Sequence, residues 1–200
     1  RVAAGAVLVQ DRAACPGDRQ LYPATHDDVH IRTTPTRFRM DETFDPALHR
    51  RYETRWFEDF AIDEKFILPS RTMTDAIFLA FQAASGDNHP IHYDVEFCRK
   101  RGMPHMLAHG YQILIQTAAG AGTFPFMTED SLIGFLDQSS KFLAPVYVGD
   151  TLYGALTIDE VTPGRTTGVI GMRSTVHNQN RVLVMEGRQR YLLRKKAVAS

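Results

Sequence analysis

Polar and apolar positions alternate most regularly near the C-terminal end of the chain. Ile170, Met172, Ser174 and Val176 interleave with Val169, Gly171, Arg173 and Thr175, the period of two expected where successive side chains leave opposite faces of a strand. Pro163-Gly164 before this run and Asn178-Gln179-Asn180 after it are turn signals. Strand-forming stretches flank both turns, from Thr151 to Val161 and from Val182 to Leu193. Three strands joined by short turns predict an antiparallel meander. A fourth stretch, Leu132 to Val148, is rich in strand formers and broken at Pro145.

Upstream the period changes. Ile77, Phe78 and Phe81 form an apolar stripe at helical spacing, with Thr74 as N-cap and Asp75 in the first turn, which predicts a helix from about Asp75 to Ala84. Asp94 can cap a second, short helix. It has Glu96 early, Arg99-Lys100-Arg101 late and Gly102 just past its end, each charge matching the helix dipole. The three basic residues read as a solvated last turn or as contacts for phosphate. From Leu107 to Phe124 there is no Asp, Glu, Lys or Arg, so this stretch predicts a long helix buried nearly all round. Ala118 to Gly122 would let other backbones approach it closely, and a sheet would have to wrap around it. Before the first helix, Thr54 to Phe60 is dense in aromatic residues, and Ile62 to Leu68 predicts the first strand of the domain. Residues 1–52 hold Pro23, Pro35 and Pro46 with no sustained period, and read as an extension carrying one or two short strands. The domain proper is expected over 53–196.

Composition narrows the partners. The chain has 200 residues, 44% hydrophobic and 23% charged, with 23 basic residues balancing 23 acidic ones. That length suits one well-buried domain with an appendage, and neutrality gives no bulk field for nucleic acid or an anionic membrane. A small molecule or a second copy of the chain is the expected partner. Cys15 and Cys98 stand far apart with no paired spacing, which argues against a disulfide framework and fits a cytoplasmic location. The apolar run near Val2 to Val9 is interrupted by Asp11 and Arg12, too early for a signal peptide. The glycines and glutamines of 107–124, followed by Pro125, argue against a membrane span.

Chemistry concentrates in Ala84-Ser-Gly-Asp-Asn-His-Pro-Ile-His-Tyr-Asp94. Gly86 can end a helix and Pro90 prevents one from continuing, so Asp87 and His92 belong on a tight loop able to aim both at one point. A carboxylate and an imidazole converging on one water make a general acid/base pair. The plainer alternative is a turn in which Asp87 caps the next segment and His92 is a hydrogen-bonded core histidine.

The string Ser85-Gly-Asp-x-x-Pro-Ile-His92, Asp94, then Leu107-Ala-His-Gly110, then Lys141-Phe-Leu-x-Pro-Val146 with Gly149-Asp150 resembles the MaoC-like dehydratases, the (R)-specific enoyl-CoA hydratases, over roughly 54–195. The resemblance implies an α+β hot-dog fold, a long central helix held in a curved antiparallel sheet, and subunits paired as a homodimer or higher homo-oligomer. It implies Asp87 and His92 as catalytic residues. Gly110 takes the glycine whose N–H faces the thioester carbonyl. The substrate would be an acyl-CoA or other acyl thioester, with no metal and no cofactor beyond the CoA of the substrate. Ser85 and His109 are candidates for the substrate pocket, and so is one face of the Ile77, Phe78 and Phe81 stripe, which reads first as core. Residue 89 departs from the resemblance: the commoner motif has Asn where this chain has His89.

Three rival functions remain open on sequence. His89, His92, His105 and His109 fall close together, but Pro90 and the capped helix between them disfavour a zinc site. A hot-dog thioesterase would activate water against the thioester carbonyl instead of the double bond. A non-catalytic acyl-CoA-binding subunit would keep the groove without the chemistry.

Overall fold

A computed structural model describes residues 41–197. Residues 1–40, with Cys15 and most of the expected extension and its short strands, lie outside the described residues. A compact unit begins at Pro46. Within it, Arg50 pairs with Asp130 and donates to the Thr54 hydroxyl at 3.1 Å.

The frame is one antiparallel sheet. Strands β1 (Lys65–Ile67), β2 (Arg71–Thr72), β3 (Leu132–Phe142), β4 (Thr151–Pro163), β5 (Thr167–Asn178) and β6 (Leu183–Arg194) are ordered β1-β4-β5-β6-β3, with β2 also on β4. The meander predicted from alternation is β4-β5-β6, and its inward positions are its core. Ile170, Met172, Ser174 and Val176 are all fully buried, while Arg173 between them is exposed. Register shifts at Ile158/Glu160 on β4 and at two places on β3 mark bulges, which bend a strand and increase its twist. They curl the sheet around the helical segments, which is the hot-dog architecture.

Both capped helices form where their caps put them. Helix α1 (Asp75–Ser85) has the Thr74 side chain accepting from the Ile77 N–H, and ends at Gly86 with φ 69°. Helix α2 (Val95–Lys100) has Asp94 accepting from the Phe97 N–H, and Gly102 follows at φ 74°. Both glycines hold left-handed backbone, where a Cβ would be strained. In the last turn of α2, Arg99 pairs with Glu96, and the Arg101 guanidinium lies 3.7 Å from the Phe97 ring centroid.

The long buried helix expected over 107–124 is instead broken into pieces. Helix α3 is only Gly110–Leu114, followed by 3-10 turns at Ile115–Thr117 and Ala119–Ala121 and a short helix α4 (Phe124–Met127). The cause is competition for its carbonyls. The Gln116 side chain donates to the Gln112 carbonyl at 3.0 Å, the Thr117 hydroxyl donates to the Leu114 carbonyl at 2.7 Å, and Gln189 of β6 donates to the Thr117 carbonyl at 3.0 Å. Side-chain donors that take helix carbonyls offer the backbone another way to be satisfied, and Ala118 leaves helical conformation at ψ 118°. Burial is also one-sided: Tyr111 is 64% and Ile115 49% exposed. The close backbone approach lies on the sheet side, where a Cβ on Gly154 would meet the Gln116 carbonyl oxygen at 2.9 Å. Among the described residues no helix is long and apolar enough to cross a membrane.

Candidate active site

The loop between α1 and α2 is held by its own side chains. Pro90–His92 makes one 3-10 turn whose N-cap is His89, its Nδ1 accepting the Ile91 N–H at 3.2 Å. A carboxamide oxygen of Asn at this position would accept the same N–H, so the departure at residue 89 keeps the local hydrogen bond. His89→Asn should therefore keep the wild-type unfolding midpoint, while His89→Ala should lose about 1 kcal/mol in chemical denaturation, the usual effect of losing an N-cap.

Asp87 sits at the centre of this loop, with its side chain 33% exposed. Its Oδ1 accepts the His89 N–H at 2.9 Å, and its backbone N–H donates to the Ser85 hydroxyl at 3.2 Å. Its Oδ2 lies 3.1 Å from Nε2 of His109. The Asp87 carboxyl is held below the usual carboxylate range, mainly by the His89 N–H and further by the nearby His92, His109 and His89 rings, against the opposing effect of burial. Asp87 is thus a carboxylate near neutral pH. Tyr93, whose ring centroid is 5.9 Å from that of His92, has a phenol pushed up by burial and by the Asp87 charge.

Hydrogen bonds fix the proton on each histidine. His92 Nδ1 is 2.6 Å from the Leu107 carbonyl oxygen, which can only accept, so Nδ1 carries the hydrogen and Nε2 keeps its lone pair. His109 is the reverse: its Nδ1 accepts the Tyr111 N–H at 3.0 Å, so in the neutral ring the hydrogen is on Nε2, the nitrogen nearest Asp87. One oxygen of Asp87 and one ring nitrogen from each of His92 and His109 all lie within 4.8 Å of one another. Polar atoms at such separations can share one water, each at ordinary hydrogen-bond length. The same three residue types could ligate a divalent metal, but a neutral His109 already uses its only lone pair on the Tyr111 N–H, and a metal would have to displace that cap.

His92 and Gly110 line one cleft of about 500 Å³ together with Leu107, Ala108, His109 and the segment Phe142–Val146. Gly110 is the first residue of α3, and His109 caps that helix while Gln112 reaches back to the His109 N–H at 3.3 Å. Among the described residues the Gly110 N–H donates to no protein group. A Cβ at Gly110 would lie 2.9 Å from the Phe142 ring, so glycine lets that ring close one wall of the cleft.

The other expected pocket residues separate. Phe78 is 2% exposed in a core cluster with Met73, Ile113 and Val146, and Ile77 packs against that cluster. Their helical stripe faces the core, as its first reading had it, and neither residue lines the cleft, so the alternative of a pocket face fails for both. Phe81 stacks on His109 with centroids 5.3 Å apart, and Ser85 holds the Asp87 backbone. The sequence reading missed Phe142, although the motif Lys141-Phe-Leu-x-Pro-Val146 that carried the resemblance contains it. It also missed the Leu107 carbonyl, a backbone group with no sequence signal of its own.

A family model described as MaoC like domain matches residues 59–180. The protein MaoC of Klebsiella aerogenes is 30% identical over 112 residues, 54% of this chain, and the matched part is 32% of that protein's length. The (R)-specific enoyl-CoA hydratase of Rhodospirillum rubrum is 24% identical over 139 residues, covering 64% of this chain and 91% of its own. Among solved structures, the monoamine oxidase regulatory protein of Archaeoglobus fulgidus superposes with a TM-score of 0.68 at 27% identity, over 74% of this chain and 99% of its own.

Proposed function

Because the chain belongs to the MaoC-like domain family, a family of dehydratases and hydratases, we propose that it adds water reversibly across the double bond of a trans-2-enoyl thioester, with coenzyme A as the first carrier to test. The observation that carries this reading is that one cleft is lined by both Gly110, whose N–H is unpaired, and His92, whose ring lies within 4.8 Å of the Asp87 carboxylate.

In an enoyl thioester, C3 accepts a nucleophile only as far as negative charge can move onto the carbonyl oxygen. A fixed N–H aimed at that oxygen lowers the barrier, by about 3 kcal/mol where such donors have been removed from other enzymes. Gly110 supplies the N–H. With α3 only five residues long, the donor itself and not a long helix dipole provides the stabilisation. In this mechanism Asp87 and His92 hold a water between them. His92 Nε2 takes its proton as the oxygen attacks C3, and the imidazolium returns a proton to C2. The Asp87 carboxylate orients the water and stabilises the imidazolium. Each proton is accounted for, and the reverse course dehydrates a 3-hydroxyacyl thioester.

Two copies of the chain would pair along strand β3. Among the described residues strand β3 has only β6 beside it, and on it Ile133 is 46% and Phe135 55% exposed. An unpaired edge carrying exposed apolar side chains is a ready surface for pairing with a second copy.

The test is the absorbance of the conjugated enoyl thioester, followed as purified protein meets trans-2-enoyl-CoAs of several chain lengths. Loss of absorbance without free thiol supports the hydratase. Release of free thiol would replace it with a thioesterase, and stoichiometric binding without either would leave an acyl-CoA-binding subunit.

A further inference from the structure

We infer that His109 is a positioning residue that couples the acid/base loop to the carbonyl donor: one ring holds Asp87 and caps the helix that begins at Gly110. The inference rests on the hydratase reading above. The two ring nitrogens do different work. Nδ1 accepts the Tyr111 N–H at 3.0 Å and so seats the first turn of α3, while Nε2 lies 3.1 Å from Asp87 Oδ2.

The two halves of the site come from loops well separated in sequence, 86–94 and 107–110, and three polar contacts tie them. The Leu107 N–H donates to the Ile91 carbonyl at 3.0 Å, His92 Nδ1 donates to the Leu107 carbonyl at 2.6 Å, and His109 Nε2 lies 3.1 Å from Asp87 Oδ2. Each half therefore sends one histidine across to the other. The rings of His92 and His109 lie with centroids 5.2 Å apart, and Phe81 of α1 closes the other side of His109 at 5.3 Å. His109 thus has little room to turn, and its backbone contact sets which nitrogen carries the proton. Both Asp87 oxygens then have a close polar neighbour, Oδ1 accepting the His89 backbone N–H and Oδ2 lying 3.1 Å from His109 Nε2. That limits how the carboxylate can turn and leaves it lone pairs for water. The ionisable groups around Asp87 are His89, His92 and Tyr93 from its own loop, and His109 from the facing one.

His109→Asn separates the two contacts. Asparagine is a strong N-cap and keeps the bond to the Tyr111 N–H, but its amide is too short to reach Asp87. His109→Gln carries a longer amide that can reach Asp87 and serves as the rescue. The readouts are steady-state hydration of enoyl-CoA against pH and the carboxyl ¹³C titration of Asp87 in the whole chain, the resonance identified by its loss in Asp87→Asn. In His109→Asn the Asp87 midpoint should rise, because the imidazole whose charge helps to lower it is gone. The acid limb of kcat/KM should move to higher pH with it, and kcat should fall about 10- to 10²-fold, the scale of a small misplacement of a reacting group. KM should stay within about threefold, and His109→Gln should recover part of both losses. An unmoved Asp87 titration with wild-type kcat in His109→Asn overturns the inference while leaving the hydratase intact. A wild-type chain that hydrates no enoyl thioester overturns the reaction, and the positioning role with it, whatever the titration shows.

Discussion

Replacing Asp87 by Asn, or His92 by Gln, is expected to lower enoyl-thioester hydration by at least about 10²-fold, the low end for a lost acid/base group, without unfolding the chain. Both changes are close to isosteric, and both sites are only partly buried, so no core cavity is created. They fail for different reasons. In Asp87→Asn the new amide would still accept the His89 N–H, but it carries no charge to stabilise an imidazolium and would turn an NH₂ or a weaker acceptor toward His109. In His92→Gln the new side chain could still donate to the Leu107 carbonyl, but it offers no lone-pair nitrogen to take a proton. The measurement is kcat/KM on the best enoyl-CoA, with circular dichroism and a sizing column as checks on folding and assembly. Wild-type turnover in either variant would remove the catalytic assignment, and an intact fold with lost turnover in both would support it.

The second large effect is expected at Gly110, and it needs a paired design. Alanine there adds a Cβ that meets the Phe142 ring at 2.9 Å, so Gly110→Ala alone mixes a steric change with any chemical one. Phe142 is 45% exposed and can be trimmed with little loss of core. In a Phe142→Ala background, Gly110→Ala keeps the N–H and Gly110→Pro removes it. Proline is well tolerated at the first position of a helix, where the N–H has no partner within the helix. His109 already has the extended backbone that a following proline requires, at φ −66° and ψ 144°. The proline variant should therefore fold like the alanine one yet be slower by about 10²- to 10³-fold in kcat, the range for a removed oxyanion donor. Equal rates for the two would mean that the Gly110 N–H does not contact the thioester carbonyl.

Much of this architecture could be read locally. Thr74, Gly86, Asp94 and Gly102 mark the ends of α1 and α2 because caps satisfy backbone groups within a few residues of themselves. The meander was legible for the same reason, since alternation and turn residues act over a short span. What could not be read acts over long separations. The broken central helix depends on Gln189, which belongs to β6 and reaches the Thr117 carbonyl only in the folded chain. In the site, the string around Asp87 and His92 marked the right loop, but their partners did not follow from it. Asp87 lies 3.1 Å from His109, and His92 is hydrogen-bonded to a backbone carbonyl, instead of the two being bonded to each other. The stripe at Ile77 and Phe78 was ambiguous in sequence because a core face and a pocket face have the same period.

The pairing of β2 and β1 with β4 has a consequence for the order of folding. Thr72 is registered with Thr151, and Phe66 with Leu156, so everything between Thr72 and Thr151, including both loops of the site, is one long excursion closed at its base by sheet pairing. Hairpins β4-β5 and β5-β6 join sequence neighbours and carry little closure entropy, whereas the excursion must be closed across a large separation. The meander can therefore form first as a template, with β3, α3 and the two histidine loops docking onto it later. Native-state hydrogen exchange would then find the slowest amides in β5 and the earliest opening in the segments that hold Asp87 and Gly110, so that the cleft can loosen without the sheet coming apart.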